Sequence, residues 1–317
     1  MSRIASFALV SAIGLATAVP AFPGYAQQAA PYTVVETGRG FERLQDAVTA
    51  IGDGTGTIRF AAMRFADCAV QAGGDILYTA AKPGQAVLEG VACEGKAALV
   101  LRGRRARIEG LVFAGITVPD GNGAGIRLER GDLTVSQSWF RDSQQGILSA
   151  NGERGAITID KSTFTRLGTC EGAGGCAHSV YIGDYDALTV TRSRFEAGRG
   201  GHYVKSRTAR IAVLDSSFDD SAGRATNYMI DLPAGSSGRI ADNWFVQGKD
   251  KENHSAFIAV AAEGRVNSSA GLVIEGNDAR FAPGVSWGST FVADWSGDAL
   301  TIGANVLGEG LKRFERR

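Results

Sequence analysis

His178 and His202 each stand three residues ahead of a side chain that can bind or transfer a proton: Tyr181 in HSVYIG (178–183) and Lys205 in HYVKSR (202–207). Arg207 follows Lys205 by two residues, and a third segment, NYMIDL (227–232), adds Tyr228 and Asp231. These residue types suit β-elimination from a uronic-acid polysaccharide. That reaction needs a cation to neutralise the carboxylate and acidify the α-proton, a base to remove the proton, and an acid to protonate the departing oxygen. Arg207 fits the first role, Lys205 or Tyr181 the second, and Tyr181 or a histidine (His178, His202) the third. A lysine acts as a base only without its proton; Arg207 nearby would lower its pKa, whereas Asp231 would raise it and hold the charge.

Such a site requires the three segments to lie side by side as strands. Side chains alternate faces along a strand. With Ile126 and Leu128, Val180 and Ile182, Val204 and Ser206, Ile230 and Leu232, and Ile258 and Val260 turned inward, the outward row reads Arg127, Leu148, Tyr181, Lys205, Asp231 and Ala259. Neighbours in the row are then ~4.8 Å apart. Tyr203 and Arg207 are expected on the same outward face, flanking Lys205. Tyr203, Tyr228, Asp231 and Arg127 are the expected substrate-binding residues around the catalytic set Lys205, Arg207, Tyr181, His202 and His178.

What brings the segments together is an internal repeat. LTVSQSWF (133–140), ITIDKSTF (157–164), LTVTRSRF (188–195) and IAVLDSSF (211–218) share apolar residues at the first, third and eighth positions and Ser at the sixth. Looser copies are ARIEGLVF (106–113), GRIADNWF (238–245), LVIEGNDA (272–279) and LTIGANVL (300–307). Their ends are 23 to 34 residues apart, about 28 on average. A period in the twenties with two-residue alternation predicts a solenoid of strands, each coil burying its apolar face only against its neighbours. Glycine agrees: 43 of 317 residues against 7 prolines, a turn-rich composition of neither collagen nor linker type. The sixth-position column, Ser138, Ser162, Ser193, Ser216, Asn243, Asn277 and Asn305, is expected to form a polar ladder at one bend. Phe113, Phe140, Phe164, Phe195, Phe218 and Phe245 are expected to stack inside.

With these features the chain resembles the right-handed parallel β-helix proteins of the pectate-lyase-like superfamily, over about residues 57–307. The resemblance implies an all-β fold: one right-handed parallel β-helix domain over 27–317, a short N-terminal capping helix within 40–61, and a capping tail at 308–317. It also implies that the strand row described above carries the substrate cleft, and that Lys205 and Arg207 are the positions matching the Lys and Arg of some of its lyases. Calcium-dependent members place several acids there. Here only Asp184, Asp186 and Asp231 are candidates, so calcium is weakly supported and no other cofactor is implied. Two other functions fit the same architecture. One is a non-catalytic glycan-binding or structural β-helix, with Tyr181, Tyr203 and Tyr228 as sugar platforms. The other is a glycoside hydrolase, for which Asp219-Asp220 and Gly201-His202 supply pieces in an altered order.

The remaining composition narrows the setting. The 33 basic residues balance 33 acidic ones, which argues against a nucleic-acid partner and leaves an acidic polysaccharide as the expected one. Residues 1–26 read as a signal peptide, with Arg3, an apolar run, and Gly24 and Ala26 before the cut. No later stretch is long and apolar enough for a transmembrane segment, so a secreted or periplasmic protein of bacterial type is expected. Cys68, Cys93, Cys170 and Cys176 form an even set suited to two disulfides in such a compartment. Three pairings exist, and proximity favours Cys68 with Cys93 and Cys170 with Cys176. Closely spaced Cys or His pairs of the zinc-binding kind are missing.

Overall fold

The computed structural model of the protein describes residues 1–2, 30–152, 154–171 and 175–317. Apart from its first two residues, the expected signal peptide over 1–26 lies outside them. The described chain is an all-β parallel solenoid with one helix, α1 (Leu44–Ile51). Three sheets run its length: sheet A with twelve strands, and sheets B and C with ten each. From Thr55 onward each coil visits A, then B, then C, and each strand pairs in parallel with its counterpart one coil away.

Each coil therefore holds three strands, where the sequence shows two segments. The eight-residue template is itself bent. Its first half forms sheet A (Asp132–Ser136, Ala156–Asp160, Ala187–Thr191) and its end forms sheet B (Trp139–Arg141, Thr163–Thr165, Arg194–Glu196). The ladder residues sit at the bend. The Ser138 N–H donates to Ser162 Oγ (3.3 Å), Ser162 to Ser193 (3.2 Å) and Ser193 to Ser216 (3.1 Å). The Ser216 N–H then donates to Asn243 Oδ1 (2.9 Å), Asn243 to Asn277 (3.0 Å) and Asn277 to Asn305 (3.0 Å). Just before the ladder, Gln137, Lys161, Arg192, Asp215 and Asp242 take left-handed backbone, φ 48° to 58°. A non-glycine residue there costs ~1–2 kcal/mol, and the ladder bonds, buried with both partners satisfied, offset it.

Inside the bend the phenylalanines stack as the repeat implies. Ring centroids from Phe113 through Phe245 are 4.8 to 4.9 Å apart, with planes within 15° of parallel. Helix α1 buries Leu44, Ala47 and Val48 against the same core. Beside it, Tyr32–Val34 pairs antiparallel with Arg39–Phe41 and with Thr55–Phe60, the first full strand of sheet A. Both expected disulfides are present, Cys68–Cys93 and Cys170–Cys176. They are compatible with an oxidising compartment. No helix among the described residues is long and apolar enough to cross a membrane.

Candidate functional site

Sheet C places the expected row in register. Arg127 pairs with Leu148, Leu148 with Tyr181, Tyr181 with Lys205, Lys205 with Asp231, and Asp231 with Ala259. The central strands are only three residues long: Val180–Ile182, Val204–Ser206 and Ile230–Leu232. Their flanking residues therefore belong to turns, and this redirects one expected side chain. Tyr203 is not on the outward face. It precedes its strand, lies 1% exposed in the core against Phe218, and donates its hydroxyl to Asp220 (2.6 Å). It cannot bind substrate.

The turns before the strands build a ring stack. His178 and His202 lie 5.0 Å apart centre to centre, and Tyr228 covers the other face of His202 at 5.6 Å. His178 also meets the Tyr181 ring edge-on at 5.2 Å. The loop that delivers His178 is closed by the Cys170–Cys176 disulfide and the pairing of Thr169 with Ala177. Gly201 allows the close approach: it holds φ 59°, and a Cβ there would fall 2.1 Å from the Ala177 carbonyl and 2.5 Å from His178 Nδ1. The His202 backbone N–H can thus donate to His178 Nδ1 (2.9 Å), which puts the His178 ring proton on Nε2.

The charges are arranged around Lys205, itself 8% exposed. Its Nζ lies 3.2 Å from Asp231 Oδ2, donates to Glu263 Oε1 at 2.6 Å, and stands 5.7 Å from the Tyr181 ring centre. Arg207 donates from Nε to Tyr181 Oη (3.0 Å) and from Nη2 to Glu263 Oε2. His202 Nε2 is 3.4 Å from Asp231 Oδ2. Burial alone would push the Lys205 ammonium down, but Asp231 and Glu263 together outweigh it and hold its pKa above the ordinary lysine value. Burial lifts Asp231 to about 6 against the pull of Lys205. Burial also pushes His178 down to about 3, helped by Lys205, and pushes His202 well below its ordinary value, helped by His178 and Lys205. Near neutral pH, then, Lys205 is charged and both imidazoles are neutral.

Glu263 was not among the sequence candidates. It lies outside the strand row, in the turn after Ala256–Val260, and only the closeness of coils two apart brings it to Lys205 and Arg207. Arg127 is separated from Tyr181 by Leu148, and its Nε stays 3.7 Å from Glu129. Arg127 nevertheless lines a cleft that continues to Tyr181 along sheet C, past Asn122 and Asn151. A second hollow of about 350 Å³ holds His178, His202 and Lys205, and a third holds Arg207, Asp184 and Val266. Tyr181 lines all three, so it stands at the middle of one groove.

The acids expected for other chemistries are placed differently. Asp220 is fully buried and accepts from Tyr203, Thr226 and the Gly248 N–H, with Lys251 Nζ at 3.1 Å. Asp219 Oδ1 caps the turn at Ser221. Asp186 accepts from the Gly155 N–H and pairs with Arg154, away from Asp231 on Lys205. Among the described residues no three His, Cys, Asp or Glu side chains are grouped to hold a metal ion.

No family model matches the chain, and no curated protein matches it. Among solved structures it is similar to Geobacillus virus E2 ORF18, at a TM-score of 0.46 and 15% identity, over 86% of this chain and 56% of that one. The chain thus spans about half the length of that viral protein.

Proposed function

We propose that the chain is an exported, right-handed, pectate-lyase-like β-helix, with α1 and the C-terminal tail capping its ends, that cleaves an acidic, uronate-containing polysaccharide by β-elimination in the sheet C groove. The observation that carries this reading is the Arg207 Nε–H directed at Tyr181 Oη beside a buried, charged Lys205. In the reaction the uronate carboxylate is neutralised by Lys205 and Arg207, and Tyr181 takes the α-proton as a phenolate. Arg207 Nε, 3.0 Å from Tyr181 Oη, is placed to donate to that oxygen while it carries charge. As the carbon–carbon double bond forms and the glycosidic carbon–oxygen bond breaks, the proton on Tyr181 passes to the leaving oxygen. Lys205 serves as a cation and not as the base, because its carboxylate partners keep it protonated. His178 and His202, held neutral, act as hydrogen-bonding and stacking groups and not as acids.

The test is incubation with a panel of acidic polysaccharides, followed by ultraviolet absorbance of unsaturated uronate ends. New absorbance with a matching rise in reducing ends supports the lyase. Reducing ends without absorbance would assign a hydrolase, and binding without cleavage a glycan-binding module.

A further inference from the structure

We infer that Lys205 and Arg207 form a carboxylate-binding subsite which the chain fills with its own Glu263, and that an acidic sugar enters by displacing that side chain; the identity of the sugar acid rests on the reading above. Glu263 bridges the two cations as a ligand carboxylate would, with Oε1 on Lys205 and Oε2 on Arg207. It is also the most accessible member of the trio. Its side chain is 45% exposed, against 10% for Lys205 and 28% for Arg207.

The cations do not depend on Glu263 for their positions. With it withdrawn, Lys205 retains Asp231 and Arg207 retains Tyr181. Nor does the exchange require the backbone to move. The Glu263 N–H is tied to the Pro233 carbonyl (2.9 Å), the Asn267 N–H to Ala234 (2.8 Å), and Asn267 Nδ2 to the Arg207 carbonyl (3.0 Å). Rotation of one side chain toward solvent opens the subsite.

The device sets specificity. A neutral glycan carries nothing to replace the carboxylate. A lone sugar acid competes with a tethered rival whose effective concentration is on the order of millimolar or higher. A polyanionic chain that also contacts the rest of the groove overcomes that rival.

The experiment is calorimetric titration of the full chain with glucuronate and with glucose, for the wild type and the Glu263→Gln and Glu263→Asp variants, with unfolding midpoints confirming that each is folded. Glu263→Gln should bind glucuronate about tenfold more tightly than the wild type, or about 1.4 kcal/mol. Glu263→Asp should fall between them, and glucose should show no gain. Unchanged or weaker glucuronate binding by Glu263→Gln, or an equal gain for glucose, would overturn the inference by making Glu263 a structural clamp. Because binding is read without turnover, tighter glucuronate binding with no unsaturated product from any polysaccharide would retain the subsite and remove the lyase. Cleavage by the wild type with no gain in binding would do the reverse.

Discussion

His178 gives the site a pH signature that can be sized. In an unfolded chain its imidazole titrates near 6.5, whereas burial beside Lys205 lowers it to about 3 in the fold. Below pH 6.5 the unfolded chain takes up a proton that the folded chain refuses. The stability due to neutral His178 is therefore complete above about pH 7, and it is lost as pH falls toward 3. Between pH 7.5 and pH 5.0 this one residue removes about 2 kcal/mol, one and a half pH steps at about 1.4 kcal/mol each. The perturbation is His178→Asn, whose Oδ1 can accept the His202 N–H in place of Nδ1. Urea unfolding of both proteins at the two pH values, disulfides intact, gives the assay. Asp231 titrates in both proteins, and burial, the main cause that holds His202 low, is kept in both, so the difference between the proteins chiefly reports residue 178. We expect that difference to move by about 2 kcal/mol in the variant's favour at pH 5.0. A difference that does not change with pH would mean that His178 can protonate in the fold, and it would restore the histidine as a candidate acid.

Three further outcomes follow from the packing. Lys205→Ala strands the buried Asp231 carboxylate and should cost about 3–5 kcal/mol at pH 8, with most of the loss recovered on adding Asp231→Asn, as read from urea midpoints. Phe195→Ala opens a gap between Phe164 and Phe218, each 4.8 Å away, and should cost about 3–5 kcal/mol in the same measurement. Gly201→Ala drives a methyl group into the Ala177 carbonyl and His178 at a left-handed position. It should cost about 1–3 kcal/mol in unfolding and should also slow cleavage, since it disturbs the His178 ring that packs against Tyr181.

Features that repeat were legible in the sequence, because a solenoid converts a periodic residue into a column of contacts. Ser138 through Asn305 became a hydrogen-bonded ladder and Phe113 through Phe245 a ring stack. The outward row from Arg127 to Ala259 holds its register for the same reason. Alternation holds only inside a strand, however, and it fails at Tyr203, one residue before a three-residue strand, where the turn sends the ring inward to Asp220. Glu263 was hidden more thoroughly. It belongs to no repeat position, and nothing local ties it to Lys205, 58 residues earlier. The balance between Arg207 and Asp231 over the Lys205 proton was equally unreadable, since it depended on Glu263 as well as on burial. The third strand per coil was missed because the template reads as one apolar run across its own bend.

The most direct test of the central claim compares wild type and Tyr181→Phe on the acidic polysaccharide of the panel that is cleaved fastest, following unsaturated uronate by ultraviolet absorbance. We expect the wild type to release unsaturated ends and Tyr181→Phe to be slower by at least about a hundredfold, with an unfolding midpoint close to the wild type's. An undiminished rate in Tyr181→Phe, or cleavage that leaves only saturated ends, would contradict proton transfer by Tyr181 and the lyase assignment with it.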